Sequence, residues 1–354
     1  GIKAGHAAGM KVIHIPDTIE INDDIRSLTS VVCHSLSDVP DIIDAWNEGK
    51  VVDIEGYYEN AKINRVYVDR VHVKKAFAEY TAAYNADDPK IKLKIDHTYR
   101  VAALCERIAK AVGMCAYDVE LAWLSGMLHD VGRFEQIKRY NTFSDADSVD
   151  HAKFGADLLF KDGLISTFLN GMVKCTGYKP GALEDRYDSD GVFLYDRLNK
   201  SDMEMLELAI RCHNMYRIPQ GLNRREQAFC NVLRDADKVD IFKVNIDTPL
   251  EEIYNTTTEE LMKSDITDEV LKAFDEEHCI LKAIRRTPAD TVIGHVSLAY
   301  ELVYDESVRI TVEQGYLAKL MHFHSDNEET NRKMAMVREK MDSYVKKRIG
   351  EKDA

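Results

Sequence analysis

Apolar residues recur at three- and four-residue steps through much of this chain. Val101, Leu104, Ile108 and Val112 form one such stripe, and Leu121, Leu124 and Leu128 form a second. That spacing follows the 3.6-residue turn of an α-helix and predicts helices with one buried face from about Val71 onward. Residues 246–354 keep the helical period with no clear strand, and Ser325–Ala354 reads as a terminal helix with a charged face over a Met-dotted apolar stripe. Loops are predicted where the pattern breaks: Asn141–Asp150, the Gly-, Pro- and Asp-rich Tyr178–Asp190, and Ile218–Asn223. The first 46 residues differ. Gly1–Gly9 is small and Ala-rich, Lys11–Ile15 is a short apolar strand stopped by Pro16, and Leu36–Trp46 is an amphipathic helix with Asp38 as its cap and Pro40 in its first turn. Residues 47–70 mix charge, Gly and alternating Val and Tyr, and read as a connector. The expected fold class is mainly α, preceded by a short N-terminal α/β segment.

Composition narrows the function classes. With 45% hydrophobic and 31% charged residues over 354 positions, the chain has the make-up of a soluble globular protein. Its 47 basic residues against 61 acidic ones leave a net charge of −14. That balance argues against broad nucleic-acid binding, which needs a cationic face, and leaves room for a local basic pocket. The seven cysteines form no C-x-x-C pair and sit mostly among apolar neighbours, which predicts buried free thiols and a reducing, cytoplasmic setting. No apolar run reaches the ~18 residues of a membrane span, and no signal peptide is visible.

Candidate chemistry is concentrated in six residues: His97, the adjacent His129 and Asp130, His151, His213 and Asp237. Imidazole nitrogens and carboxylates bind borderline divalent metals, and six such groups can hold two ions side by side. Neighbouring residues on a helix point about 100° apart, so His129 and Asp130 can serve different faces of one cluster. Asp130 has two oxygens and can bridge two ions where His129 binds one. His97 is read as opening a helix. Asp237 lies among Val232, Leu233, Val239 and Ile241, and a buried carboxylate there is costly unless it meets a cation. One histidine beside a helix is more often a hydrogen-bonded core residue than a ligand, and Asp237 alone could cap a turn. The ordered set changes that balance: His97-Thr-x-Arg-Val, Leu124-x-Gly-Met-Leu-His-Asp-Val-Gly-Arg133, Asp150-His-Ala-x-x-Gly-Ala156, Arg211-Cys-His-Asn214 and Arg234-Asp-Ala-Asp-Lys-Val-Asp240.

In that order these segments resemble the HD-domain superfamily of metal-dependent phosphohydrolases, over about residues 71–245. The resemblance implies an HD-domain helical bundle in which His97 is the first ligand, His129-Asp130 the eponymous pair, His151 and His213 the extra histidines of the dinuclear branch, and Asp237 the closing ligand. One ion would lie on His97, His129, Asp130 and Asp237, the second on Asp130, His151 and His213. Four imidazoles suit two divalent transition-metal ions, Mn, Fe, Co or Ni, better than Mg or Ca alone. The implied substrate is a nucleotide or another small phosphate mono- or diester, attacked by a metal-bridged hydroxide. Asp130, Arg133 and Lys238 are the catalytic candidates, with Arg100 and Arg133 as substrate contacts. Arg133 is preferred because a planar guanidinium can take two oxygens. Asp147 and Asp150 are candidates to orient His151.

The remaining cations and histidines carry less. Lys138, Arg139, Arg224 and Arg225 read as salt-bridged or solvated surface charges, and His295 is a weaker candidate than the six. His6, His14, His278, His322 and His324 default to structure or solvent. The absence of a Gly-Tyr-Pro motif sets the chain apart from the cyclic-dinucleotide branch, and no G-x-S-x-G, Walker loop or G-x-G-x-x-G is present. The same ligands also suit a dinuclear-iron oxygenase of the myo-inositol-oxygenase-like branch, or a non-catalytic nucleotide-sensing HD module. Gly132-Arg133 and the helical tail, similar to that of bacterial HD proteins, favour hydrolysis.

The opening segment, Gly1-Ile-Lys-Ala-Gly-His-Ala-Ala-Gly-Met-Lys-Val-Ile-His-Ile-Pro-Asp17, resembles the last quarter of a haloacid-dehalogenase-type phosphatase of the phosphoglucomutase-like group. It carries none of that family's catalytic motifs and implies fusion to an upstream phosphatase domain. The expected partition is therefore 1–46 as that remnant, 47–70 as connector, 71–245 as HD core and 246–354 as its C-terminal helical extension.

Overall fold

A computed structural model describes residues 2–15, 23–32, 39–47, 68–85, 87–114, 116–169, 200–254 and 256–350. The expected cap Asp38, most of the connector at 47–70 and the loop Tyr178–Asp190 lie outside them. In chain order the first elements are α1 (Ile2–Ala7), β1 (Ile13–His14), α2 (Asp23–Ser27), β2 (Val31–Val32), α3 (Val39–Asn47) and α4 (Arg70–Thr81). Next come α5 (Pro89–Ala111), α6 (Ala116–Leu128), α7 (Val131–Tyr140), α8 (His151–Ala156), α9 (Ile165–Leu169), α10 (Lys200–Cys212) and α11 (Arg224–Asp247). The chain closes with α12 (Leu250–Tyr254), α13 (Thr258–Lys263), α14 (Asp268–Asp275), α15 (Pro288–Val296), α16 (Asp305–Gln314), α17 (Tyr316–Met321) and α18 (Glu328–Ile349). The mainly helical class is as expected. Two compact units interleave along the chain: Gly1–Ala83, Gly113–Leu121 and Leu158–Glu204 make one, and Tyr84–Val112, Ala122–Asp157 and Met205–Ala354 the other.

In the first unit β1 and β2 pair in parallel, Ile13 opposite Val31 and His14 opposite Val32. Parallel neighbours need a crossover, and α2 lies in it. Val31 and Ile42 are fully buried, with Ile13, Ile15, Val39 and Trp46 packed on them. The second strand was not anticipated, because two residues are too few for an alternating pattern. Asp69 caps α4 by accepting from the Val71 and His72 amides. That helix packs on α9, where the Tyr80 and Phe168 rings meet edge-on.

In the second unit Asp88 caps α5 and Pro89 starts it, so His97 lies two turns inside a long helix rather than at its opening. Helix α5 packs along α11, which begins with a capping box between Asn223 and Glu226. Helices α7 and α8 approach so closely that a Cβ on Gly132 would lie 2.5 Å from the His151 carbonyl oxygen and 2.7 Å from the Gly155 nitrogen. Gly126 admits the α5 backbone at Ala102 in the same way. Beyond α11, the fully buried Asp235 accepts from the Val303 and Tyr304 amides and the Ser307 hydroxyl, tying α11 to the turn that leads into α16. Helix α18 buries Met334, Val337, Met341 and Val345, and with them Lys333, whose ammonium pairs with Asp265. Cys105, Cys212, Cys230 and Cys279 are buried free thiols, and Cys33, Cys115 and Cys175 fall outside the described residues. Among the described residues no helix is long and apolar enough to cross a membrane.

Candidate metal centre

The second unit brings His97, His129, Asp130, His151, His213 and Asp237 into one buried cluster from five places in the helical framework. His97 comes from the middle of α5 and Asp237 from the middle of α11. His129 and Asp130 sit in the turn between α6 and α7 rather than on a helix, so the turn and not a 100° helical offset aims them apart. His151 is the first residue of α8, which Asp150 caps through the Lys153 amide. His213 follows the last residue of α10.

The four imidazoles share one orientation rule. His97 Nδ1 donates to Asp240 Oδ2 at 2.6 Å, and His151 Nδ1 to Asp145 Oδ2 at 2.7 Å. His129 Nδ1 donates to the Gly126 carbonyl at 2.8 Å, and His213 Nδ1 to the Ile210 carbonyl at 2.7 Å. All four partners accept only, which fixes the Nδ1–H tautomer and turns each Nε2 inward. The inward nitrogens meet in pairs: His97 and His129 at 3.3 Å, His151 and His213 at 3.1 Å. Asp130 stands between the pairs. Its Oδ2 is 3.6 Å from His97 Nε2 and 3.5 Å from His129 Nε2, while its Oδ1 is 3.6 Å from His151 Nε2 and 3.8 Å from His213 Nε2. Asp237 Oδ1 completes the first group, 3.2 Å from His97 Nε2 and 3.9 Å from His129 Nε2. For ligand bonds of ~2.1 Å, neighbouring donors on one ion are ~3.0–3.4 Å apart, close to these separations. Groups of these side chains have the spacing of a metal site.

Protonation follows from burial and charge. Burial pushes His151 and His213 down to about 4, with Arg133 also lowering the first and His129 the second, so both rings are neutral near pH 7. Burial also lowers His129. For His97, burial and Lys94 act downward, but hydrogen bonds to Asp237 and Asp240 outweigh them and raise its pKa. Burial alone would raise Asp130 and Asp237. The Lys94 charge, then the surrounding imidazoles, hold Asp130 well below the usual carboxylate range. Asp237 is held low by its bond to His97.

Several cations stand elsewhere than the sequence suggested. Arg100, expected to touch substrate, places Nε and Nη2 on the two oxygens of Asp240 at 2.6 and 2.9 Å, behind His97. Arg133 gives Nη1 to Gln136 Oε1, the Phe143 carbonyl and Asp145 Oδ1. Its buried Nε has no hydrogen-bond partner and lies 3.7 Å from Asp130 Oδ1. Lys238 is partly buried. Burial and the Arg234 charge lower its pKa against the opposing pull of Asp235, Asp237 and Glu301. Lys138 and Arg139 pair with Glu135, in line with their reading as salt-bridged surface charges. His278 pairs with Glu276, and His322 donates to the Ala318 carbonyl.

Three neighbours escaped the sequence reading: Asp240, Asp145 and Lys94. Asp145, not Asp147 or Asp150, bonds the His151 ring, while Asp150 caps α8 and accepts from Asn214. Lys94 Nζ donates to Asp130 Oδ2 at 2.7 Å. The available signal was helical spacing, since Lys94 precedes His97 and Asp240 follows Asp237 by three residues, on the same helix faces.

A helical framework that gathers histidines and aspartates from five separate segments defines a metal-site protein of the HD type. A model of the HD domain family matches residues 95–278, just over half of the chain, and the chain belongs to that family. HD domains bind divalent metals and are mostly metal-dependent phosphohydrolases. Comparison with curated proteins and with solved structures gave no match.

Proposed function

We propose that this chain is a metal-dependent phosphohydrolase acting on a nucleotide or another small phosphate mono- or diester. The observation that carries the proposal is the His151–His213 pair. Both rings are neutral near pH 7 and both hold their proton on Nδ1, so two bare Nε2 lone pairs face each other at 3.1 Å. A buried polar atom without a partner is unfavourable, and a divalent cation relieves both at once.

In this reading His97, His129, Asp237 and Asp130 would hold one ion, and His151, His213 and Asp130 would hold a second. The donor set fits Mn, Fe, Co or Ni better than Mg or Ca, which prefer oxygen shells. Such ions supply Lewis acidity toward phosphoryl oxygens and a bound water acidic enough to act as nucleophile near neutral pH. The chain's own residues do the positioning. Asp240 and Asp145 fix the His97 and His151 rings, and the Gly126 and Ile210 carbonyls fix the other two. Arg133 holds the loop that carries Asp145 and presents its remaining Nε beside Asp130, and Lys238 adds positive charge for an anionic ester.

Residues 71–245 are read as the HD core with 246–354 as its extension. Residues 1–46 are read as the closing segment of a haloacid-dehalogenase-type domain fused ahead of it, which the parallel β1–β2 pair supports. The test of function combines elemental analysis with turnover of mono- and bis-nitrophenyl phosphate, with Mn²⁺ and with Fe²⁺ and O₂. The expected result is about two ions per chain, as the six ligands imply, and phosphate ester cleavage. Oxygen consumption without cleavage would assign the oxygenase chemistry instead. Ions bound with neither reaction would assign a sensing module, and no bound metal after metal-replete purification would overturn every enzymatic reading.

A further inference from the structure

We infer that Lys94 is the residue that grips a phosphoryl oxygen of the bound ester, released for that task when ions occupy the cluster. The inference rests on the phosphohydrolase reading and adds a residue and an order of binding to it. Lys94 lies one turn before His97 on α5, with its side chain 17% exposed and its Nζ 2.7 Å from Asp130 Oδ2. The same oxygen faces the His97 and His129 Nε2 atoms at 3.6 and 3.5 Å. An ion bound by those nitrogens takes Oδ2 as its ligand, and the ammonium is then left beside a divalent charge that repels it.

The same ammonium also has an aromatic neighbour. Lys94 Nζ stands 5.4 Å from the centroid of the half-buried Phe143 ring, and Arg133 Cζ stands 5.5 Å from the same ring. A cation over an aromatic face is held without an oxygen partner, so Lys94 can leave Asp130 and remain at the cluster. Arg133 cannot make the same move. Its Nη1 is committed to Gln136, the Phe143 carbonyl and Asp145. Lys94 is a point charge on a flexible stem, suited to following an anionic oxygen as it docks. In the metal-free chain its bond to Asp130 offsets the negative charge of the buried carboxylate. In the loaded chain the phosphate takes that carboxylate's place.

The test uses Lys94→Met and Lys94→Arg in the full chain, with inorganic phosphate as the probe. Calorimetric titration of the metal-free proteins should show that Lys94→Met binds as many ions as wild type, with affinity equal or higher. Phosphate binding to metal-loaded Lys94→Met should weaken on the order of ten- to a hundredfold, and Lys94→Arg should recover most of it. For bis-nitrophenyl phosphate, KM should rise more than kcat falls. Equal phosphate affinity in wild type and Lys94→Met overturns the inference, and so does a lost ion in a folded variant. The Arg variant provides the same reading if the Met variant does not fold, since an Arg variant with weak phosphate binding would deny a role to the charge. A wild type that binds ions and phosphate yet cleaves no ester would overturn the hydrolase reading alone, with the Lys94 comparison still decided by phosphate affinity.

Discussion

Replacing Gly132 with alanine tests how the helix framework sets the cluster. A Cβ at this position would meet the His151 carbonyl oxygen at 2.5 Å, the Gly155 nitrogen at 2.7 Å and the Gly155 Cα at 2.9 Å, all backbone atoms that cannot rotate away. Ordinary contacts of this kind lie at ~3.5 Å, so α7 and α8 must part by ~0.6–1 Å at the crossing. His151 starts α8 and moves with it. Metal sites tolerate ligand displacements of only about 0.2 Å, so the shift is several times what the His151–His213 pair can absorb. Overpacking of this kind costs about 1–3 kcal/mol of stability, a few degrees in Tm for a domain of this size. The ion on His151 and His213 should weaken on the order of ten- to a hundredfold, while the ion on His97, His129 and Asp237 persists. Titration calorimetry, elemental analysis after dialysis and a thermal melt read all of this. A Gly132→Ala protein with both ions at wild-type affinity and an unchanged Tm would refute the reasoning.

Three further outcomes are expected. Asp240→Asn puts an amide where His97 and Arg100 both require a carboxylate, and should lower stability by about 1–3 kcal/mol and weaken the His97 ion without changing the His151 ion. Separate ion affinities by titration check this, and an unaltered His97 ion would contradict it. His151→Ala should lose one ion of the pair and keep its helical circular dichroism; full ion content or full activity would defeat the dinuclear assignment. Burial, with Arg285 and Lys282, pushes His295 down from 6.5 to about 3. Between those values the unfolded chain binds the extra proton, so stability should fall as pH drops through that window. Denaturant midpoints across pH 3–7 should show a shallower decline for His295→Leu, and an identical decline would remove His295 as a contributor.

The stripe Val101, Leu104, Ile108 marked α5 from spacing alone, because a long amphipathic helix writes its buried face into the sequence. The six histidines and aspartates of the cluster were legible as an ordered set, since each sits in a distinctive local segment. Their partners were not. Asp240 meets His97 across 143 positions of chain; its three-residue step from Asp237 puts the two acids on one helix face but does not say which neighbour each one meets. Arg100 and Arg133 read as free phosphate contacts because sequence shows charge but not what has already claimed it. The turn at His129–Asp130 was hidden for a similar reason. Apolar residues continue on both sides of it, and only packing decides where one helix stops.

Helix α11 carries Asp237 and Asp240 toward the cluster, and two residues before Asp237 it carries Asp235, whose oxygens are held by Val303, Tyr304 and Ser307. Those donors lie past residue 278, beyond the stretch that marks the family. A protein trimmed at that boundary would retain every residue of the cluster and still lose the three donors that anchor the helix carrying Asp237 and the His97 partner Asp240. The tail is thus a keystone for the centre, although it contributes no atom to it.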